Sequence, residues 1–324
     1  MKIFGKILLL LSLVPFLACS AGGEPVPPAT GLLYVVDRAN KAIYIFDNVG
    51  TIDGEVEPVR TVIGDNTLLQ SPAALAVDGR RDILYVADTA GGQVLAFPQA
   101  SLANGDLAPL RTYPGISRAS SLFSDISNNR LYAGDANAQA VVAWDNVSSL
   151  GSGTTPTRTI PLGYEPSAIF VDTENDFLYV GDPANSSINV YRNASTLGVA
   201  TTPDRVLQDA DNTFLSIRSI AINVPNNILF VSDDFVPSVE IFDQASTLNG
   251  STILSRSLQG GMTGLTFDIG QLLFIENVLY VQVSRTQVGI YNDANTLDGD
   301  VAPTRLLTIN PASLIVGIAV DLAH

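Results

Sequence analysis

The segment from residue 168 to residue 207, AIFVDTENDFLYVGDPANSSINVYRNASTLGVATTPDRVL, holds four short apolar runs: AIFVD, FLYVGD, INVY and PDRVL. Each has four to six residues rich in Val, Ile, Tyr and Phe, and Asn, Asp, Gly, Pro and Ser separate them. That is the chemistry of strands joined by tight turns. Helical periodicity is sustained nowhere in the chain.

The same unit recurs on both sides. A Leu-aromatic pair appears at Leu33-Tyr34, Leu84-Tyr85, Leu131-Tyr132, Leu178-Tyr179, Leu229-Phe230 and Leu279-Tyr280, spaced 51, 47, 47, 51 and 50 apart. An arginine keeps step at Arg60, Arg111, Arg158, Arg205, Arg256 and Arg305, with proline two residues earlier in five copies. Six four-stranded units predict an all-β six-bladed β-propeller, because radial packing buries the faces that one such sheet leaves open. The first copy lacks a leading strand, entering directly at Leu32 to Asp37 (LLYVVD). Gly317 to Asp321 (GIAVD) matches the leading strands Ala74 to Asp78 and Ala168 to Asp172, so a C-terminal strand A is expected to join N-terminal strands B to D and close the ring.

Composition agrees. In 324 residues, 26 Gly and 18 Pro with 46% hydrophobic and 15% charged residues suit short strands rather than disorder or long helices. A net charge of −15 excludes non-specific attraction to nucleic acid or anionic membrane surfaces. One cysteine makes no internal disulfide. The single histidine, His324, leaves no histidine metal cluster and no interior general base.

Residues 1–18 read as an export signal, with Lys2 and Lys6 ahead of the apolar run Ile7 to Leu17. Phe16 to Cys19 resembles the lipobox of bacterial lipoproteins, although Phe16 stands where Leu is usual; the resemblance implies lipidation of Cys19. Removing residues 1–18 takes away two lysines and no acid, so the charge goes from −15 to −17. Residues 19–31 read as a flexible tether and residues 32–324 as the propeller. The expected location is the bacterial cell envelope, held to the membrane only by the N-terminal lipid; Ser20 resembles outer-membrane sorting if the cell is Gram-negative.

The pattern small-apolar-x-apolar-Asp, then LYVxD, then strands such as IYIFD (Ile43 to Asp47) and VEIFD (Val239 to Asp243) resembles the NHL-repeat class of six-bladed propellers over Leu32 to Asp321. That class implies a fold; function must be argued from a site. Lactonase-like propellers that share the likeness place a divalent metal at the channel mouth, and for this chain they imply Glu165 with Asn137 or Asn185.

Six internal copies act as controls for one another. Aspartates ending strand B (Asp37, Asp88, Asp135, Asp182, Asp233) and residues ending strand A (Asp78, Asp125, Asp172, Asn223, Asp268, Asp321) are expected to accept backbone N–H bonds in the next turn. The repeated arginines are expected on outer blade surfaces or paired with acids. Asp53-Gly54, Asn104-Gly105, Asn249-Gly250 and Asp298-Gly299 suit turns of positive φ. Trp144 takes the strand C aromatic slot of the core. Glu55, Asp106, Asp300 and the run Asp209 to Asn212 offer oxygens but lack the spaced acidic loop of a calcium site, and no cofactor is expected.

Departures from the repeat mark the candidate ligand-binding residues: Arg38, Arg118, Glu165, Arg218 and Arg285, all in loops at one end of the central channel. Converging arginines on an acidic protein suit a carboxylate or another small anion; paired or solvated surface arginines are the plain alternative. In the sixth copy ten positions separate Asp268 from Val278, and the excess contains Leu272 to Ile275: an apolar docking patch, a longer hairpin, or a different strand A. The expected function is a monomeric, non-catalytic recognition or scaffold protein binding an envelope protein or small ligand on a loop face. A metal-dependent lactonase-like hydrolase is the alternative, and a sensor of secreted polymers a third reading that no aromatic platform supports.

Overall fold

The computed structural model describes residues 31–199, 202–210 and 214–324. The expected signal, Cys19 and all of the tether but Gly31 lie outside the described residues, as do Asp211 and Asn212. Among the described residues the chain forms six sheets whose four main strands pair antiparallel, two of them extended by a short parallel fifth strand, and helix is confined to five three-residue 3-10 turns. The protein is a six-bladed β-propeller. Each strand A packs against the next around the channel, including blade 6 against blade 1, so the ring is closed.

Closure follows the expected exchange. Ile315–Asp321 is strand A of blade 1 and pairs antiparallel with Leu32–Asp37, Leu32 opposite Asp321 and Val36 opposite Gly317. Alternation along strand B explains why both faces of a blade are apolar. In Leu32–Asp37, Tyr34 and Val36 pack toward blade 2, while Leu33 and Val35 pack toward blade 6. Six such clusters, one between each pair of successive blades, make up the core. Each fully buried Leu, Ile or Val there contributes about 1.5–3 kcal/mol. Trp144, fully buried, fills its core slot and donates Nε1–H to the Thr154 carbonyl at 3.1 Å.

The repeated arginines do more than pair with acids. Arg158, Arg205, Arg256 and Arg305 each donate from Nη1 to two carbonyls of the following blade's C–D connection: Ala194 and Leu197, Ala245 and Leu248, Asn295 and Leu297, Val49 and Ile52. The last pair ties blade 6 back to blade 1. The residue after the arginine donates its N–H to the side chain before the turn glycine: Leu306 to Asp53, Thr61 to Asn104, Thr112 to Ser152, Val206 to Asn249 and Ser257 to Asp298, all at 2.9–3.2 Å. Gly54, Gly105, Gly250 and Gly299 have φ of +71° to +76°, the left-handed region that favours glycine.

Blade 6 corrects one expectation. Its strand A is Leu272–Ile275, joined to Val278–Gln282 by the two-residue turn Glu276-Asn277, both at positive φ. Asp268 therefore ends no strand, and the apolar excess is no patch on the opposite face. The extra residues belong to the D–A connection at the channel mouth. Thr266-Phe267-Asp268 imitates the apolar-Asp ending of other copies, but Leu272–Ile275 has the register that fills the ring.

Candidate functional site

The D–A connections and B–C turns gather at one end of the channel. They surround a cavity of about 960 Å3 lined by strand A residues of every blade. Arg38, Arg118, Glu165 and Arg218 line it, together with Asp234, Phe267 and Asp268. Arg285 is not in the lining; its Nε donates to Asp268 Oδ1 at 2.9 Å from behind.

A β-bulge prepares the wall. In blades 1, 2, 3 and 5 the pairing of strands A and B slips by one residue at the mouth end, leaving Val316, Ala73, Ser120 and Arg218 as the unpaired residues. All four line the cavity. A bulge re-aims a side chain without ending the sheet, and in blade 5 it turns Arg218 onto Asp234 of its own B–C turn.

The strand B aspartates hold these loops. Asp135 accepts N–H bonds from Ser117, Arg118 and Ala138; Asp88 from Gln70, Ser71 and Gly91; Asp37 from Asn40, Ser313 and Leu314; Asp233 from Ser216 and Phe235. Asp182 accepts from Asn185 in its own turn. The turn role expected for them is present, and in four blades the same carboxylate also fixes the incoming connection. The electrostatic outcome differs between copies. Burial would raise the Asp135 carboxyl, but the bonds from Ser117, Arg118 and Ala138 outweigh it and hold the group below its ordinary range. At Asp233 burial wins, and the adjacent Asp234 adds to it, so that carboxyl is raised.

The mouth arginines are mostly neutralised. Arg118 bridges blades 3 and 4, donating from Nε to Asn137 Oδ1 at 2.9 Å and from Nη2 to Glu165. A cation thus sits between the Glu165 and Asn137 oxygens that a lactonase-like metal would need, and Asn185 is engaged with Asp182. Among the described residues no three His, Cys, Asp or Glu side chains gather as metal ligands do. Asp106 and Asp300 accept N–H bonds from Asn66 and Met262 in neighbouring D–A connections. Arg38 differs from the others: its Nε donates to the Pro72 carbonyl at 3.0 Å, and among the described residues no carboxylate meets it.

Sequence reading missed the apolar part of this face. Phe235 and Phe267 are 62% and 73% exposed, one in the B–C turn of blade 5 and the other on the extended connection into blade 6. The signal existed: Phe235 stands where other copies have Ala39, Ala90, Asn137 and Ala184.

No family model matches the chain, and no curated protein matches it. Among solved structures it is similar to a chain in the crystal structure of a nidogen/laminin complex, with 12% identity, a TM-score of 0.60, and 91% of this chain and 99% of that chain covered. The class defined by fold and likeness is the six-bladed β-propeller.

Proposed function

We propose that this chain is a lipid-anchored envelope protein of the NHL-repeat-like kind, which recognises a protein or small ligand on its mouth face without chemistry of its own. The supporting observation is an asymmetry between the two ends of the ring. At the far end the same arginine, turn and side-chain contacts recur from blade to blade, as scaffolding does. At the mouth the copies diverge, and there a large cavity, ion-paired rim and exposed aromatics meet. Such concave, mixed polar and apolar sites are where ligands bind. The propeller it resembles sits in a complex of two proteins, which fits a recognition role.

The test places a photo-crosslinking residue at Phe235 or Phe267, and, as controls, at the exposed far-end residues Leu102 or Ile253, in living cells. Discrete adducts from the mouth positions only are expected, competed by excess unlabelled propeller. Equal labelling from both ends overturns the reading. For the anchor, Cys19→Ala is expected to move the protein from the membrane fraction to the soluble fraction.

A further inference from the structure

Among the described residues, three of the four candidate arginines at the mouth form ion pairs. Arg118 meets Glu165, Arg218 meets Asp234 and Arg285 meets Asp268. Arg38 has the Pro72 carbonyl on Nε and, among the described residues, no acceptor on either Nη. Arg38 is exposed on the rim, and partial desolvation there lowers its pKa. Asp37 and Asp88 lie at the same end of the ring, but their carboxylates are engaged by backbone N–H groups of the surrounding loops.

The surroundings of Arg38 are those of a built pocket. Ser71 precedes the carbonyl that Arg38 grips, and its own carbonyl accepts the Thr89 N–H at 3.0 Å. Ser71 and Thr89 both line the cavity, and among the described residues no side-chain hydrogen bond engages either hydroxyl. Elsewhere in the wall, on blades 3 and 6, Ser120 Oγ, Ser121 Oγ and Gln282 Oε1 are buried without partners among the described residues.

We propose that Arg38, flanked by Ser71 and Thr89, is a subsite for the carboxylate of whatever occupies the mouth. The proposal rests on the mouth-face reading and deepens it by assigning the ligand's chemistry. A guanidinium with both Nη groups free presents the fork that matches two carboxylate oxygens, and the hydroxyls supply further donors. The carboxylate belongs either to a small organic acid or to an acidic side chain of a peptide.

Calorimetric titration with succinate and with a capped peptide bearing one glutamate separates these sources. One probe is expected to bind saturably and more weakly as salt rises. Arg38→Gln is expected to weaken that binding by about tenfold or more, Arg38→Lys to retain part of it, and Arg192→Gln, at a distant ion pair with Asp204, to leave it unchanged. Thermal melts confirm that each variant is folded. Failure of both probes to saturate, or equal affinity in Arg38→Gln, overturns the subsite. If mouth crosslinks from Phe235 or Phe267 persist in that event, the subsite falls while mouth-face recognition stands.

Discussion

At the scale of single residues, the same side chain type carries opposite energetics in different copies. Asp135 is held below its ordinary range, so it stabilises the fold fully above the normal carboxylate range, and that stability disappears as pH falls through its lower folded value. Asp233 is raised, so its folded form is penalised once pH rises through the raised value. Urea unfolding at pH 7 is therefore expected to show Asp135→Asn losing about 1–3 kcal/mol, because one oxygen cannot serve all its donors, and Asp233→Asn losing less. Arginines divide in the same way. Arg158 joins Asp145, the Tyr132 hydroxyl and two carbonyls of blade 4, and its side chain is 12% exposed. Arg158→Ala is expected to cost about 2–4 kcal/mol by stranding those acceptors, against about 0–1 kcal/mol for Arg118→Ala at its exposed pair. Equal losses in denaturant melts would contradict this division. The candidate arginines were legible as departures from a repeat. Their partners were not, because a bulge or a neighbouring blade decides which acid each arginine meets.

At the scale of elements, strands B were legible almost to the residue: Phe177–Asp182 is both the sequence run and the observed strand. Its local signal is strong, an apolar run closed by an aspartate that the next turn needs. Strand A of blade 6 was illegible for the complementary reason. Leu272–Ile275 ends in the hairpin residues Glu276 and Asn277 instead of an aspartate, and a decoy with the right ending stood upstream. The misplacement hid the extended connection that carries Phe267. The arginine repeat was visible, but its grip on the next blade's carbonyls was not, since that partner lies some 40 residues away, at |i−j| of 36 to 43 for Arg158 and Arg205.

For the molecule as a whole, the C-terminal strand is the fastening of the ring. His324 Nδ1 lies 2.9 Å from Asp321 Oδ2 at the end of that strand, and the hydrogen bond to Asp321 raises the imidazole above its ordinary 6.5. The stabilisation is complete below the unfolded pKa and is lost as pH rises through the higher folded value. The melting temperature is therefore expected to fall slightly as pH rises across that window. His324→Ala should remove this dependence, and an unchanged profile in scanning calorimetry would refute it.

Leu32–Asp37 sits among the first residues of the body, yet its inner neighbour is Ile315–Asp321, nearly the whole body away along the chain. Synthesis delivers the N-terminal end first. Blade 1 thus waits with three of its four strands, one long edge bare, until the final strand emerges, and so distant a pairing is slow to find. The newborn chain passes through an interval in which that open edge must be kept from strands of other molecules.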